Sequence, residues 1–195
     1  MGVSDEARAL RGGALAILPT DTVYGIGCAA GDREACARLY ACKSRPADQP
    51  TAVVLGSVEG LLAALPQLDA GTAERCGRVL PGAVTLVVPN PARRFAHLCG
   101  ATPERIGVRV PVLLPEVARL ADAVGGMALT SANLRGEEPA ARLADVPDEL
   151  RRLCAVEVDG GELAGMPSSV IDVAGAEPAV LRPGPDAAAL VSLLR

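Results

Sequence analysis

Four short stretches bring together side chains that could bind and activate an anionic substrate. In Pro19-Thr-Asp-Thr-Val-Tyr-Gly-Ile-Gly27, two hydroxyls (Thr20 and Thr22) and a carboxylate sit between an apolar run and glycines that let a ligand approach the backbone. In Lys43-Ser-Arg-Pro-Ala-Asp-Gln-Pro50, two cations stand two residues apart. The chain has eighteen arginines and one lysine, Lys43, so a compact point charge occurs where the composition otherwise supplies planar forks. Pro46 disfavours the helical region for Arg45, which lets Lys43 and Arg45 leave a helix end on extended backbone and converge on one anion such as a triphosphate. A plain helix C-terminus, where cations oppose the dipole, is the alternative. Leu129-Thr-Ser-Ala-Asn133 runs a strand into Ser131 and Asn133, whose hydroxyl and amide can donate to phosphate or carboxylate oxygens. Met166-Pro-Ser-Ser-Val-Ile-Asp172 repeats that pattern with Ser168, and Arg182-Pro-Gly184 places a guanidinium at a strand end.

Other chemistries fit less well. The spacing G-x-x-x-x-G-K-[ST] of a P-loop is absent, and Gly25-x-Gly27 lacks the third glycine of a dinucleotide fingerprint. Standing alone, the first stretch reads more readily as a turn capped by its own Thr and Asp side chains. Arg109 lies inside the apolar run Ile106-Gly-Val-Arg-Val-Pro111 and must be solvated or paired; a charge guarding an edge strand is the alternative. A Ser-His-Asp hydrolase would have to use His97, the single histidine, in an irregular stretch. The same scarcity disfavours a zinc site, and no metal ligands are assigned.

The elements that must position these groups alternate. A helix capped by Ser4 runs through Arg11, and Ala14 to Leu18 is a buried strand stopped by Pro19. Asp32 caps a helix reaching about Ser44, and Thr51 to Leu55 is a strand. Helices over Val58–Leu65 and Thr72–Leu80 precede strands at Val84–Val88 and Ile106–Val110, with a loop at 89–104 between the strands. Helix 115–124, strand 127–130, a short helix Pro147–Leu153, strands at 155–158, 169–173 and 179–182, and a helix from Asp186 complete the chain. The expectation is an α/β fold, one domain over 1–195, with a twisted mixed sheet flanked by helices, since some connections are too short for helical crossovers.

Composition narrows the function. At 195 residues with 22% charged residues and no long apolar run, the chain is expected to be soluble, cytoplasmic and unattached to a membrane. The N-terminus, Met1-Gly-Val-Ser-Asp-Glu, is polar and acidic, unlike a signal peptide. Six scattered cysteines without a C-x-x-C pair read as buried free thiols. A net charge of −4 and only three aromatic residues argue against a protein held to nucleic acid by phosphate contacts and base stacking.

Taken in order, the motifs resemble those of the threonylcarbamoyl-AMP synthase family of the YrdC type, in its short single-domain form. They are Pro-Thr-[Asp/Glu]-Thr-x-Tyr-Gly at 19–25, Lys-x-Arg-Pro at 43–46, Pro-Gly-x-x-Thr at 81–85, Arg-x-Pro at 109–111, Ser-Ala-Asn at 131–133 and Ser-[Ser/Thr]-Val-[Ile/Val]-Asp at 168–172. The resemblance implies a YrdC-like fold and a reaction in which L-threonine, bicarbonate and Mg-ATP give threonylcarbamoyl-AMP and pyrophosphate. The product then passes to a threonylcarbamoyl transferase complex that modifies tRNA, and a weak contact with tRNA itself is left open. It also implies Lys43 and Arg45 as the catalytic grip on the triphosphate, with Gln49, Ser131, Asn133 and Arg182 on the nucleotide. Thr22, Arg109 and Ser168 fall at the threonine contacts, with Arg109 on the carboxylate. Two alternatives are a carbamoyl-adenylating module fed by carbamoyl phosphate and a non-enzymatic RNA-binding module. This chain departs from the family at Gln49-Pro-Thr51, at Val54 where many members carry a histidine, and at Val112 and Leu113 after Arg-x-Pro. The short form it resembles is expected to lack the second C-terminal domain of the long members.

Overall fold

A computed structural model describes residues 3–46 and 48–195, so the first two residues of the polar N-terminal stretch lie outside it. The helices are α1 (Val3–Arg11), α2 (Arg33–Cys42), α3 (Val58–Ala64), α4 (Ala70–Val79), α5 (Pro115–Ala123), α6 (Asp148–Arg151) and α7 (Ala187–Leu194). The strands are β1 (Leu15–Leu18), β2 (Gly25–Ala29), β3 (Val53–Val54), β4 (Val84–Pro89), β5 (Arg105–Arg109), β6 (Met127–Ser131), β7 (Cys154–Glu157), β8 (Ser169–Asp172) and β9 (Ala179–Arg182). They form one nine-stranded sheet in the order β7-β1-β2-β6-β3-β5-β4-β8-β9. Three of its pairs are parallel, β1–β7, β3–β5 and β4–β8, and the remaining five antiparallel, so the sheet is mixed as expected.

Side chains alternate across a strand, and the alternation divides the core into two faces. In β1, Leu15 and Ile17 join the larger cluster while Ala16 and Leu18 join the smaller one under α1 and α5, against Ala7, Leu10, Val117 and Leu120. Along β4, β5 and β8 the larger cluster takes Val84, Leu86, Val88, Ile106, Val108 and Ile171. The intervening residues Thr85, Val87, Gly107, Arg109, Val170 and Asp172 instead line a cavity. The second face is thus roofed by helices only over the β7-β1-β2-β6 half, and the other half is open for a ligand. That places a binding site on a sheet face that local hydrophobic periodicity alone would mark as exposed.

Local signals set several boundaries. Asp32 caps α2 by accepting from the Ala35 amide at 2.9 Å, as its position before the apolar pattern predicts. Ser57 and Asp69 cap α3 and α4 in the same way. Ser4, expected as a cap, lies inside α1, which starts at Val3. The strand expected over Thr51–Leu55 shrinks to Val53–Val54, because Thr51 donates instead to the Leu98 carbonyl at 2.9 Å. The glycines at 25 and 27 serve packing more than ligand approach. A Cβ on Gly27 would stand 2.4 Å from the Ala128 carbonyl oxygen, and one on Gly25 would stand 2.7 Å from the Leu129 side chain, so β2 and β6 approach only because both are glycine.

All six cysteines are free, four of them buried, and the Cys28 and Cys36 sulfurs touch at 3.6 Å within the core. His97 places Nε2 3.0 Å from the Ala30 carbonyl oxygen, and a carbonyl only accepts, so Nε2 carries the proton and the ring ties the 89–104 loop to β2's end. That engagement removes it from any hydrolytic triad. Among the described residues no helix is long and apolar enough to cross a membrane.

Candidate active site

Two adjoining hollows open on the uncovered half of the sheet. The larger holds about 780 Å³ and includes Thr20, Thr22, Arg45, Thr85, Arg109, Ser131, Ser168 and Arg182 in its wall. The smaller, about 210 Å³, is bounded by Lys43, Arg45, Gln49, Thr130, Ser131 and Asn133. Arg45, Thr130 and Ser131 belong to both, so the hollows communicate. Every site residue singled out from the sequence lines one or the other.

Lys43 is not a solvated helix end. It is 8% exposed, and its ammonium donates to the carbonyl oxygens of Ser131, at 2.8 Å, and Asn133. The backbone reverses just after α2 through Ser44, at φ 46°, in the left-handed region where glycine or asparagine is the usual occupant. The turn therefore runs through Ser44, a position the sequence reading did not single out. It folds Lys43 back toward β6 while Arg45 donates to Thr130 Oγ1 at 3.2 Å and to the Pro50 carbonyl at 2.5 Å. Gln49 is exposed at the mouth of the smaller hollow. Both amide hydrogens of Asn133 are engaged by the carbonyls of Leu134 and Glu137, so its side chain holds the following loop and its own carbonyl holds Lys43.

Ser168 and Arg182 meet at the far wall. Arg182 donates to the Ser168 carbonyl through Nε at 3.2 Å and Nη2 at 2.7 Å, and Ser168 Oγ lies 3.3 Å from Thr85 Oγ1. Arg109 sits on β5 between β3 and β4, in the interior of the sheet, which overturns the edge-strand alternative. Its guanidinium pairs with Asp21 at 2.5 Å and donates to Thr22 Oγ1 at 2.9 Å. The pairing of Asp21 with a residue 88 positions away was not legible in the sequence, and Thr85 and Thr130, though inside quoted motifs, were assigned no contact there. The only hint was the unexplained carboxylate between two hydroxyls.

Electrostatics single out this region. Burial pulls the pKa of Lys43, Arg45, Arg109 and Arg182 below their ordinary values. Arg109 has a carboxylate partner, but among the described residues Lys43, Arg45 and Arg182 donate to carbonyl and hydroxyl oxygens only. Desolvated cations held by neutral acceptors favour an incoming polyanion, which would supply the missing counter-charge.

A family model described as telomere recombination, covering Sua5, YciO and YrdC, matches residues 8–184. The chain belongs to the Sua5/YciO/YrdC family. Within that family it is 37% identical over 190 residues to a Mycobacterium tuberculosis relative provisionally named threonylcarbamoyl-AMP synthase, covering 94% of this chain and 84% of that one. It is 36% identical over 178 residues to the threonylcarbamoyl-AMP synthase of Chromohalobacter salexigens, with 90% of this chain and 94% of the relative covered. Among solved structures, Pyrococcus abyssi Sua5 in complex with L-threonine superposes with a TM-score of 0.83 at 30% identity. That match covers 93% of this chain but 54% of the archaeal chain, so this chain spans about half its length. The YrdC-like fold expected from the motifs is therefore the fold present, and the Chromohalobacter salexigens relative, of comparable length, is named as a threonylcarbamoyl-AMP synthase.

In this Sua5/YciO/YrdC chain the wall nearest the first motif is braced by Tyr24. Its hydroxyl accepts from the Gly160 amide at 2.8 Å and lies 3.0 Å from Asp159 Oδ1 and 2.9 Å from the Gly161 carbonyl, fixing the segment that leads to Ser168. Tyr24→Phe is expected to lower unfolding free energy by about 1–2 kcal/mol, read from urea denaturation, because a buried hydroxyl serving both donor and acceptor groups is lost.

Proposed function

We propose that this chain converts L-threonine, bicarbonate and ATP into threonylcarbamoyl-AMP and pyrophosphate, in the cytoplasm, for transfer to tRNA by a separate threonylcarbamoyl transferase. The observation that carries this reading is the set of desolvated cations Lys43, Arg45 and Arg182, without carboxylate partners among the described residues, beside the carboxylate-paired Arg109 in two adjoining hollows. The first set suits a triphosphate and the second an amino acid, so both substrates have a place within one site.

In the proposed reaction the threonine nitrogen bonds to the carbon of bicarbonate, releasing water, and a carbamate oxygen then attacks the α-phosphorus of ATP. The bond to the β-phosphate bridging oxygen breaks, and pyrophosphate leaves. Lys43 and Arg45 would hold the departing phosphates, whose charge grows in the transition state, from a half-enclosed hollow where each hydrogen bond is stronger than in water. Gln49, Ser131 and Arg182 would contact the nucleotide, and Arg109, Thr22 and Ser168 the threonine. Asn133 acts through the carbonyl it gives Lys43. Mg²⁺ would arrive on the ATP phosphates and keep several waters of its own. The open sheet face must exclude water around a carbamate that decomposes in solution, and the apolar walls Val54, Val87 and Val170 favour that.

The test is pyrophosphate release measured with each substrate omitted in turn. Release that requires threonine, bicarbonate and Mg-ATP together is expected. Turnover with carbamoyl phosphate in place of threonine and bicarbonate, or salt-sensitive RNA binding without turnover, would replace this reading by one of the alternatives.

A further inference from the structure

The two hollows differ in the cations that wall them. Arg45 stands in both, whereas Lys43 and Arg135 belong only to the smaller and Arg109 and Arg182 only to the larger. Local geometry sets the place of Arg135. The Glu137 amide donates to the Leu134 carbonyl at 3.2 Å, closing a four-residue turn over 134–137, and Gly136 in its third position has φ 91°. A positive φ at Gly136 and not at Arg135 makes this a type II turn, in which glycine is the usual third residue. Asn133 pins both ends of the turn, since its Nδ2 donates to the carbonyls of Leu134 and Glu137, each at 2.8 Å. Its own carbonyl receives the Lys43 ammonium, so one residue fixes both the floor cation and the turn that carries Arg135.

Two carboxylates stand close to Arg135 in the sequence, at 137 and 138, yet neither neutralises it. Glu137 Oε2 accepts from the Leu134 amide at 3.2 Å and is thereby tied to the start of the turn. Arg135 forms no ion pair among the described residues. The smaller hollow, about 210 Å³, is thus flanked by a buried lysine held on carbonyls and by an exposed guanidinium with no counter-charge. A planar fork of this kind pairs bidentately with phosphate oxygens, which a point charge does not do.

We propose that Arg135 recognises the two terminal phosphates of the nucleotide, and therefore the pyrophosphate as it forms. The inference rests on the proposed function for the direction of the nucleotide. There the carbamate reaches the α-phosphorus from the larger hollow, so the α-phosphate lies where the hollows join, at Arg45, Thr130 and Ser131. The β- and γ-phosphates then extend into the smaller hollow, between Lys43 and Arg135. When the bond to the α-phosphorus breaks, its electron pair stays on the pyrophosphate oxygen. Arg135 meets that added charge with N–H donors and releases no proton. AMP ends at the α-phosphate and falls short of Arg135.

Arg135→Ala and Arg135→Lys are compared with Arg119→Ala, which removes a positive charge from the exposed face of α5, outside both hollows. Each variant is titrated calorimetrically with pyrophosphate, with AMP and with a non-hydrolysable ATP analogue, all with Mg²⁺ at one ionic strength, and KM for ATP and for threonine is measured in pyrophosphate release. Arg135→Ala should bind pyrophosphate and the ATP analogue about 10-fold more weakly and raise KM for ATP by a similar factor, with AMP affinity and KM for threonine within about twofold of wild type. Arg135→Lys should recover part of the loss and Arg119→Ala should show none. An exposed turn residue carries little stability, so Arg135→Ala should melt within about 2 °C of wild type. Unchanged pyrophosphate affinity in Arg135→Ala overturns the inference. So does an equal loss for AMP, which marks distortion of the whole site, or an equal loss in Arg119→Ala, which marks an effect of net charge. A wild-type chain that binds pyrophosphate through Arg135 but releases none from ATP, threonine and bicarbonate sinks the proposed function and keeps this contact. A wild-type chain that binds neither pyrophosphate nor the ATP analogue sinks both.

Discussion

Lys43→Ala should lower threonine- and bicarbonate-dependent pyrophosphate release by at least about 100-fold while leaving a folded protein. The ammonium is the compact charge at the floor of the smaller hollow, and its two carbonyl partners aim it. An arginine is too long and planar to occupy the same two acceptors, so Lys43→Arg should rescue little of the loss. Stability responds to two opposed effects. Alanine leaves the Ser131 and Asn133 carbonyls short of a donor, but it also removes a cation whose pKa burial has lowered. The net loss should stay within about 2 kcal/mol, a fall in melting temperature of less than about 8 °C. That differs from a surface lysine at a helix end, which is worth about 0.3–1 kcal/mol. The lowered pKa also sets a pH dependence. The charged form grips phosphate and persists only below the depressed pKa, so KM for ATP should climb on the alkaline side before the ordinary lysine value of 10.5 is reached. Wild-type turnover in folded Lys43→Ala would overturn the assignment of this residue.

Local chemistry was legible in the sequence and long-range pairing was not. Asp32 ahead of an apolar pattern announced α2, because capping is a contact over three residues. The reversal at Ser44 was missed, since serine carries no strong signal for the left-handed conformation and only the tertiary bonds of Lys43 hold it there. Arg109 was recognised as a charge that needed a partner, but nothing in its neighbourhood said whether β5 was an edge or an interior strand. Sheet order, which seats β5 between β3 and β4, answers that through pairings tens of residues apart. Asp21 read as a self-capping turn residue for the same reason. Its partner lies 88 positions further along the chain, beyond any window of periodicity or spacing.

Arg109 and Asp21 together yield the second large effect, and removing them singly or jointly separates their two roles. Arg109→Met strips the guanidinium from a nearly buried pair and strands the Asp21 carboxylate, an expected loss of about 3–5 kcal/mol in stability. It should also abolish threonine-dependent turnover, because the proposed carboxylate ligand has gone. Asp21→Asn combined with Arg109→Met removes both charges, and buried ion pairs replaced by neutral groups are often neutral in stability. The double variant should therefore regain most of the lost melting temperature and still fail to use threonine, while binding an ATP analogue normally through Lys43 and Arg45. Thermal unfolding and nucleotide titration on the two variants read these effects independently. Threonine-dependent turnover in the double variant would show that the amino acid is held elsewhere. An undiminished melting temperature in Arg109→Met would show instead that the pair is solvated and that burial does not set its energetics.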